Sequence, residues 1–171
     1  METRKVAYAV VLTAIAVVLS PFFIPVGPTK VFPVQSMVNV LAAVIVGPWY
    51  ALAVAVAASI IRNAAGTGSL FAFPGSMIGA FLAGYLYVFT RNMYVAALGE
   101  IFGTGILAAF VSTLIVSPAF LGKPMDATAL VIPFLAAGVV GSIIGVLGLF
   151  TLQRAGVIKP ARKSNEPITN A

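Results

Sequence analysis

Residues 128–152 carry no charged side chain, and Gly138, Gly141, Gly145 and Gly148 fall within them at i, i+3, i+7 and i+10. At 1.5 Å per residue this run outlasts the ~30 Å hydrocarbon core of a bilayer. Water offers it no stable home, so the fold must be one that lipid can surround. Apolarity gives helices no reason to associate in lipid, and small residues that let backbones approach become the packing device. The glycine stripe therefore reads as a close-packing seam.

Five further apolar runs, at 5–19, 34–46, 49–61, 74–89 and 93–116, precede this one. The expected fold class is an all-α integral membrane protein, a bundle of six transmembrane helices. Only 8% of residues are charged, about a third of the ~25% usual in soluble domains. One membrane domain over 1–153 is expected, with a polar, proline-bearing tail over 154–171 that reads as disordered. The first run lacks a small-residue cleavage pattern and reads as a retained span.

The side-chain inventory excludes most chemistry. Cysteine and histidine are both absent, and Glu2, Glu100, Asp126 and Glu166 are the acids. Thiolate or metal sites, proton shuttles and paired-carboxylate catalysis are left without material, so neither an enzyme nor a metal site is expected. The net charge of +6 implies no nucleic-acid partner, because it sits mainly at the termini. Placing the amino terminus in the cytoplasm puts Arg4, Lys5, Arg91, Arg154, Lys159, Arg162 and Lys163 inside, against Lys30, Arg62 and Lys123 outside. Seven against three sets both termini cytoplasmic. The long connections at 21–34, 66–69 and 117–126 then share the outer face.

Polar residues in apolar surroundings mark the candidate site. Gln35 and Asn39 lie one turn apart on the second run. Arg62 and Asn63 close the third, where the arginine either snorkels to headgroups or turns inward. The loop Gly66-Thr67-Gly68-Ser69 follows, and Phe73-Pro74-Gly75-Ser76 opens the fourth run. Amides of this loop and helix start are candidates to hold a hydroxyl or partial negative charge. Glu100 is the one acid inside a run. It lies ~10 Å from the side at which its helix begins, whereas Arg62 ends a helix at the opposite side. Hydrogen bonds from Thr104 or from helix-start amides are therefore expected in place of a direct pair. The connection at 21–34 holds four prolines and cannot be a regular helix. It reads as a re-entrant connector or a lid. On the first run Ala9, Thr13 and Ala16 fall at i, i+4 and i+7, a face for packing within the bundle or for docking another membrane protein.

The run Arg62-Asn63 to Ser69, the segment AlaPheProGlySerMetIleGlyAla and the GlyGlu-x-x-GlyThrGly motif of 99–105 together resemble the ThiW-type family. Its members are substrate-binding S components of energy-coupling factor (ECF) vitamin transporters, assigned to the thiazole precursor of thiamine. The resemblance implies six helices and a vitamin-sized pocket near the outer face, roofed by loops. It further implies docking of helix 1 onto a T component in the cell membrane, with two ATPase subunits using ATP and no cofactor on this chain. Gln35, Asn39, Arg62, Asn63, Thr67, Ser69, Phe73 and Glu100 are the candidate substrate-binding residues, with Phe32 and Phe134 as further aromatic faces. Ala9, Thr13 and Ala16 form the candidate docking face. Hydroxyethylthiazole is small, neutral and heteroaromatic, so its pocket wants apolar walls and a few hydrogen-bond partners without a full counter-ion. An S component for another vitamin precursor, such as hydroxymethylpyrimidine, and a non-transporting assembly subunit are the alternatives.

Overall fold

The computed structural model describes residues 2–26, 29–122 and 126–158; the side chains of 25, 26, 29–31 and 121 are outside that description. The helices are α1 (Glu2–Val18), α2 (Pro33–Ile45), α3 (Pro48–Ala64), α4 (Ala72–Thr90), α5 (Met93–Phe120) and α6 (Ala127–Arg154). The last three are long and apolar enough to cross a membrane by length and composition.

Helix α2 is the axis of the bundle. It packs against α1, α3, α4, α5 and α6, and nine of its thirteen residues are buried. A helix covered on all sides has no polar face to spare, which accounts for a sequence without charge. Its polar residues Gln35, Ser36 and Asn39 are buried with the rest. Gly47, at a φ of +90° that favours glycine, turns the chain into α3. Pro48 begins α3, where a missing N–H costs nothing.

The glycines of α6 form the expected seam, divided between two neighbours. A Cβ at Gly138 would press on Ile101 of α5, whereas at Gly141 and Gly145 it would meet Pro33, Ser36, Met37 and Val40 of α2. Helices α4 and α5 cross glycine to glycine, since a Cβ on Gly103 would lie 2.8 Å from the Gly79 Cα. Helix α5 is loosened by two π-helical segments, Gly103–Leu107 and Ser112–Val116, a distortion that often accompanies functional sites.

Hydrogen bonds at both ends fix the direction of α1 against α3. Tyr50 Oη donates to Glu2 at one end, and the hydroxyls of Ser20 and Thr67 meet at 2.9 Å at the other. The two helices therefore run parallel, and the connections after α1 and α3 meet at one end of the bundle.

Several sequence boundaries shift. Helix α3 continues through Ala64, so Arg62 and Asn63 stand in its last turn and not beyond it. Residues 21–34 hold a short antiparallel hairpin, Ile24–Val26 with Thr29–Val31. The segment 117–126 is less of a loop than expected, because helix persists over Ser117–Leu121. Pro118 stands inside this last stretch of α5, which directly follows the π-helical segment Ser112–Val116. The tail expectation for 154–171 falls largely on residues outside the described set, as do Lys123, Lys159, Arg162, Lys163 and the side chain of Lys30; Arg154 itself ends α6.

Candidate functional site

A small cavity lies where α3 ends and α2, α4 and α6 begin. Its lining includes Phe32, Gln35, Asn39, Arg62, Ser76, Thr104 and Phe134, with the small residues Ala72, Gly75 and Ala137 completing the wall. The cavity volume is about 40 Å³, well below the ~300–1,000 Å³ of a drug-sized ligand pocket.

A chain of buried side chains runs along one wall. Arg62 is 1% exposed, and its Nη1 donates to Gln35 Oε1 at 2.7 Å. Gln35 Nε2 donates to Asn39 Oδ1 at 3.1 Å, and Asn39 Nδ2 donates to Glu100 Oε1 at 3.0 Å. Thr104 Oγ1 lies 2.8 Å from the same carboxylate oxygen and 2.9 Å from the Gly75 carbonyl. With one hydroxyl proton it can donate to only one of them at a time. The helical spacing of Gln35 and Asn39 explains the relay, since residues four apart share a face.

Glu100 is 0% exposed and stands behind the cavity wall, outside the lining. Gly79 makes room for it, because a Cβ there would collide with Thr104 Oγ1 and lie 2.5 Å from Glu100 Oε2. Thr104 is one of the two kinds of partner expected in place of Arg62, and Asn39 joins it. Two amides separate the carboxylate from Arg62, with no direct ion pair between them among the described residues. The arginine does not snorkel. Its guanidinium lies 4.1 Å from the centre of the Phe32 ring, a cation–π contact strengthened by desolvation.

The remaining candidates hold the loop after α3. Asn63 Nδ2 donates to the Ser59 carbonyl at 2.8 Å and to that of Ser69 at 3.4 Å. Thr67 Oγ1 meets Ser20 and the Arg62 carbonyl. Ser69 Oγ accepts from the Phe71 amide at 3.3 Å. The amides of Thr67 and Gly68 both donate to the Arg62 carbonyl, at 3.0 and 2.8 Å, so they close α3 and are not offered to the cavity. Phe73 is outside the lining as well. Ser36, not singled out beforehand, lines it, as does Ser76, named only as part of the helix start and not as a binding residue. Ser76 follows the Phe-Pro-Gly start of α4, and its hydroxyl is 2.9 Å from that of Ser59, a link between α4 and α3.

A second, open groove runs between α1 and α3. Ala9, Thr13, Tyr50, Ala53, Ala57 and Ile61 are among its walls. Ala16 is buried in the core instead, and Thr13 Oγ1 donates to the Ala9 carbonyl.

The fold is thus a helical bundle with a small cavity and a buried polar network at one end. The solved S component of a bacterial ECF transporter matches this fold with a TM-score of 0.67 at 17% identity, over 93% of this chain and 99% of that one. At that identity the likeness is one of fold. No curated protein matches the chain in sequence. The family described as thiamine-precursor transporter protein (ThiW) matches residues 6–155, and the chain belongs to it. It is thus a multi-pass cell-membrane protein of a transporter family, and not an enzyme.

Proposed function

We propose that this chain is the solute-capturing subunit of an ATP-driven importer, that its solute is the thiazole precursor of thiamine, hydroxyethylthiazole, and that the cavity between Phe32, Arg62 and Phe134 receives it. The supporting observation is a partly open, mainly apolar cavity with Gln35, Asn39, Arg62, Ser76 and Thr104 in its wall, in a chain of the ThiW family. Phe32 and Phe134 supply faces for a heteroaromatic ring; Gln35, Asn39, Ser76 and Thr104 supply hydrogen-bond partners. Entrance of a ring into so small a space requires the Phe32 end of α2 and the hairpin before it to move aside. In this reading six helices cross the membrane, both termini are cytoplasmic, and 1–153 forms one domain. The cavity opens outward. A T component then engages the α1 face at Ala9 and Thr13, and two ATPase subunits supply the energy from ATP, so this chain needs no cofactor.

The test is a ligand panel read by thermal shift on the purified protein. Hydroxyethylthiazole at a hundred times its Kd should stabilise the fold by ~2.7 kcal/mol, while hydroxymethylpyrimidine leaves the midpoint unmoved. A shift with the pyrimidine alone reassigns the solute to the other half of thiamine.

A further inference from the structure

Arg62 has more hydrogen-bonding capacity than the protein uses. Its Nη1 is engaged by Gln35, but Nε and Nη2 are buried without a partner among the described residues. Those two nitrogens share one edge of the guanidinium plane. Their N–H bonds point the same way, in the fork that matches two oxygens of one carboxylate or phosphate. A buried cation whose strongest donors are idle costs several kcal/mol in desolvation. Among the described residues no anion faces it directly. Glu100, the acid in the same network, is two amides away and packs its second oxygen against Gly79. Phe32 lies against the guanidinium, its ring centre 4.1 Å away, and the Nε–Nη2 edge is buried with no hydrogen-bond partner among the described residues.

From this we infer that Arg62 reads a two-oxygen anionic group, carboxylate or phosphate, on the solute, and that the form bound most tightly is an oxyacid of the precursor and not the free alcohol. The inference rests on the cavity being the solute site and refines the chemistry of what enters it. The rest of the wall agrees with a ring carrying one such group. Ala72, Gly75, Phe134 and Ala137 are apolar or small, and Gln35, Asn39, Ser36, Ser76 and Thr104 are neutral. Among the described residues Arg62 is the one charged residue in the lining, so an anion placed elsewhere along it would lack a counter-charge from them. A neutral hydroxyl at the fork would engage one N–H and leave the other idle.

The experiment titrates the purified full chain with hydroxyethylthiazole, its monophosphate, the corresponding thiazole carboxylate, and hydroxymethylpyrimidine with and without phosphate. The expected result is an anionic form binding about tenfold or more tighter than its neutral parent, as a charged hydrogen-bonded pair warrants. Whether carboxylate or phosphate leads identifies the oxyanion. Arg62→Gln should erase the preference, and Arg62→Lys should keep part of it, having charge without the fork. Neutral alcohols binding as tightly as every anionic form would overturn the inference and leave the thiazole reading standing. Pyrimidines binding where thiazoles do not would remove the thiazole reading, while the phosphorylated and free pyrimidines still decide the role of Arg62. Failure of all five compounds to bind overturns both. If Arg62→Gln does not fold, the preference in the parent protein decides alone.

Discussion

Helices α1 and α2 stand side by side and carry alanine and branched apolar residues in similar proportion, yet they occupy opposite situations. Nine of thirteen residues of α2 are buried, against two of seventeen in α1, Leu12 and Ala16. Neighbours surround α2, and its small partners, the glycines of α6, are matched to it atom by atom. By contrast α1 lies on α2 and α3 with one side and leaves Val6, Val10, Val11 and Val18 exposed. Spacing of small residues says that a close approach is possible. It does not say whether the approaching surface belongs to the same chain.

The largest expected effect separates these two kinds of small-residue face. Ala9→Trp, on the open α1 groove, should leave solute binding in detergent intact and abolish uptake in cells that supply the partner subunits; normal uptake would return this face to lipid. Gly141→Ala, on the closed seam, puts a Cβ against the Pro33 carbonyl and 2.9 Å from the Met37 nitrogen. Backbone atoms cannot yield as a side-chain tip does, so a loss of ~1–3 kcal/mol or more is expected as a lower thermal midpoint. An unchanged midpoint would mean that α2 and α6 are not in register as described. Asn63→Ala with Ser69→Ala removes hydrogen bonds that pin the loop after α3. The chain should still fold, about 1 kcal/mol less stable for each bond lost, and hold solute more weakly because Arg62 is less firmly placed. Titration with unchanged affinity would separate the loop from the site. The smallest effect belongs to Gly148→Ala, whose new Cβ meets only the Leu41 side chain at 3.5 Å. Stability should stay within ~0.5 kcal/mol, and a larger loss would extend the tight seam to the end of α6.

The bundle was legible because long apolar runs broken by Gly47-Pro48 and Arg91-Asn92 leave a membrane chain few choices. The relay from Gln35 to Glu100 was partly legible: helical spacing joins Gln35 to Asn39, and depth turned Glu100 away from Arg62, with Thr104 among the partners left. What spacing could not give was the side on which each loop residue stands. Asn63, Thr67 and Ser69 read as polar groups beside a pocket, but α3 continues further than its apolar run, and closing its end consumes them. Ser76 was hidden for the opposite reason, as a modest hydroxyl in a glycine-bearing helix start whose position depends on how α3 and α4 pack. Nor did sequence reveal that Arg62 is buried, because an arginine ending an apolar run snorkels as readily as it turns inward.

The most direct test of the cavity as the solute site is to fill it. Gly75 lines the space, and a Cβ there meets the Phe134 ring at an ordinary 3.6 Å, so the longer side chain of Gly75→Leu extends into the room the solute needs. Measured by titration on the purified variant, binding of the thiazole compounds should be lost while the helical content and thermal midpoint stay close to those of the parent. A folded Gly75→Leu protein that binds them with the parent's affinity would contradict the account and place the solute elsewhere.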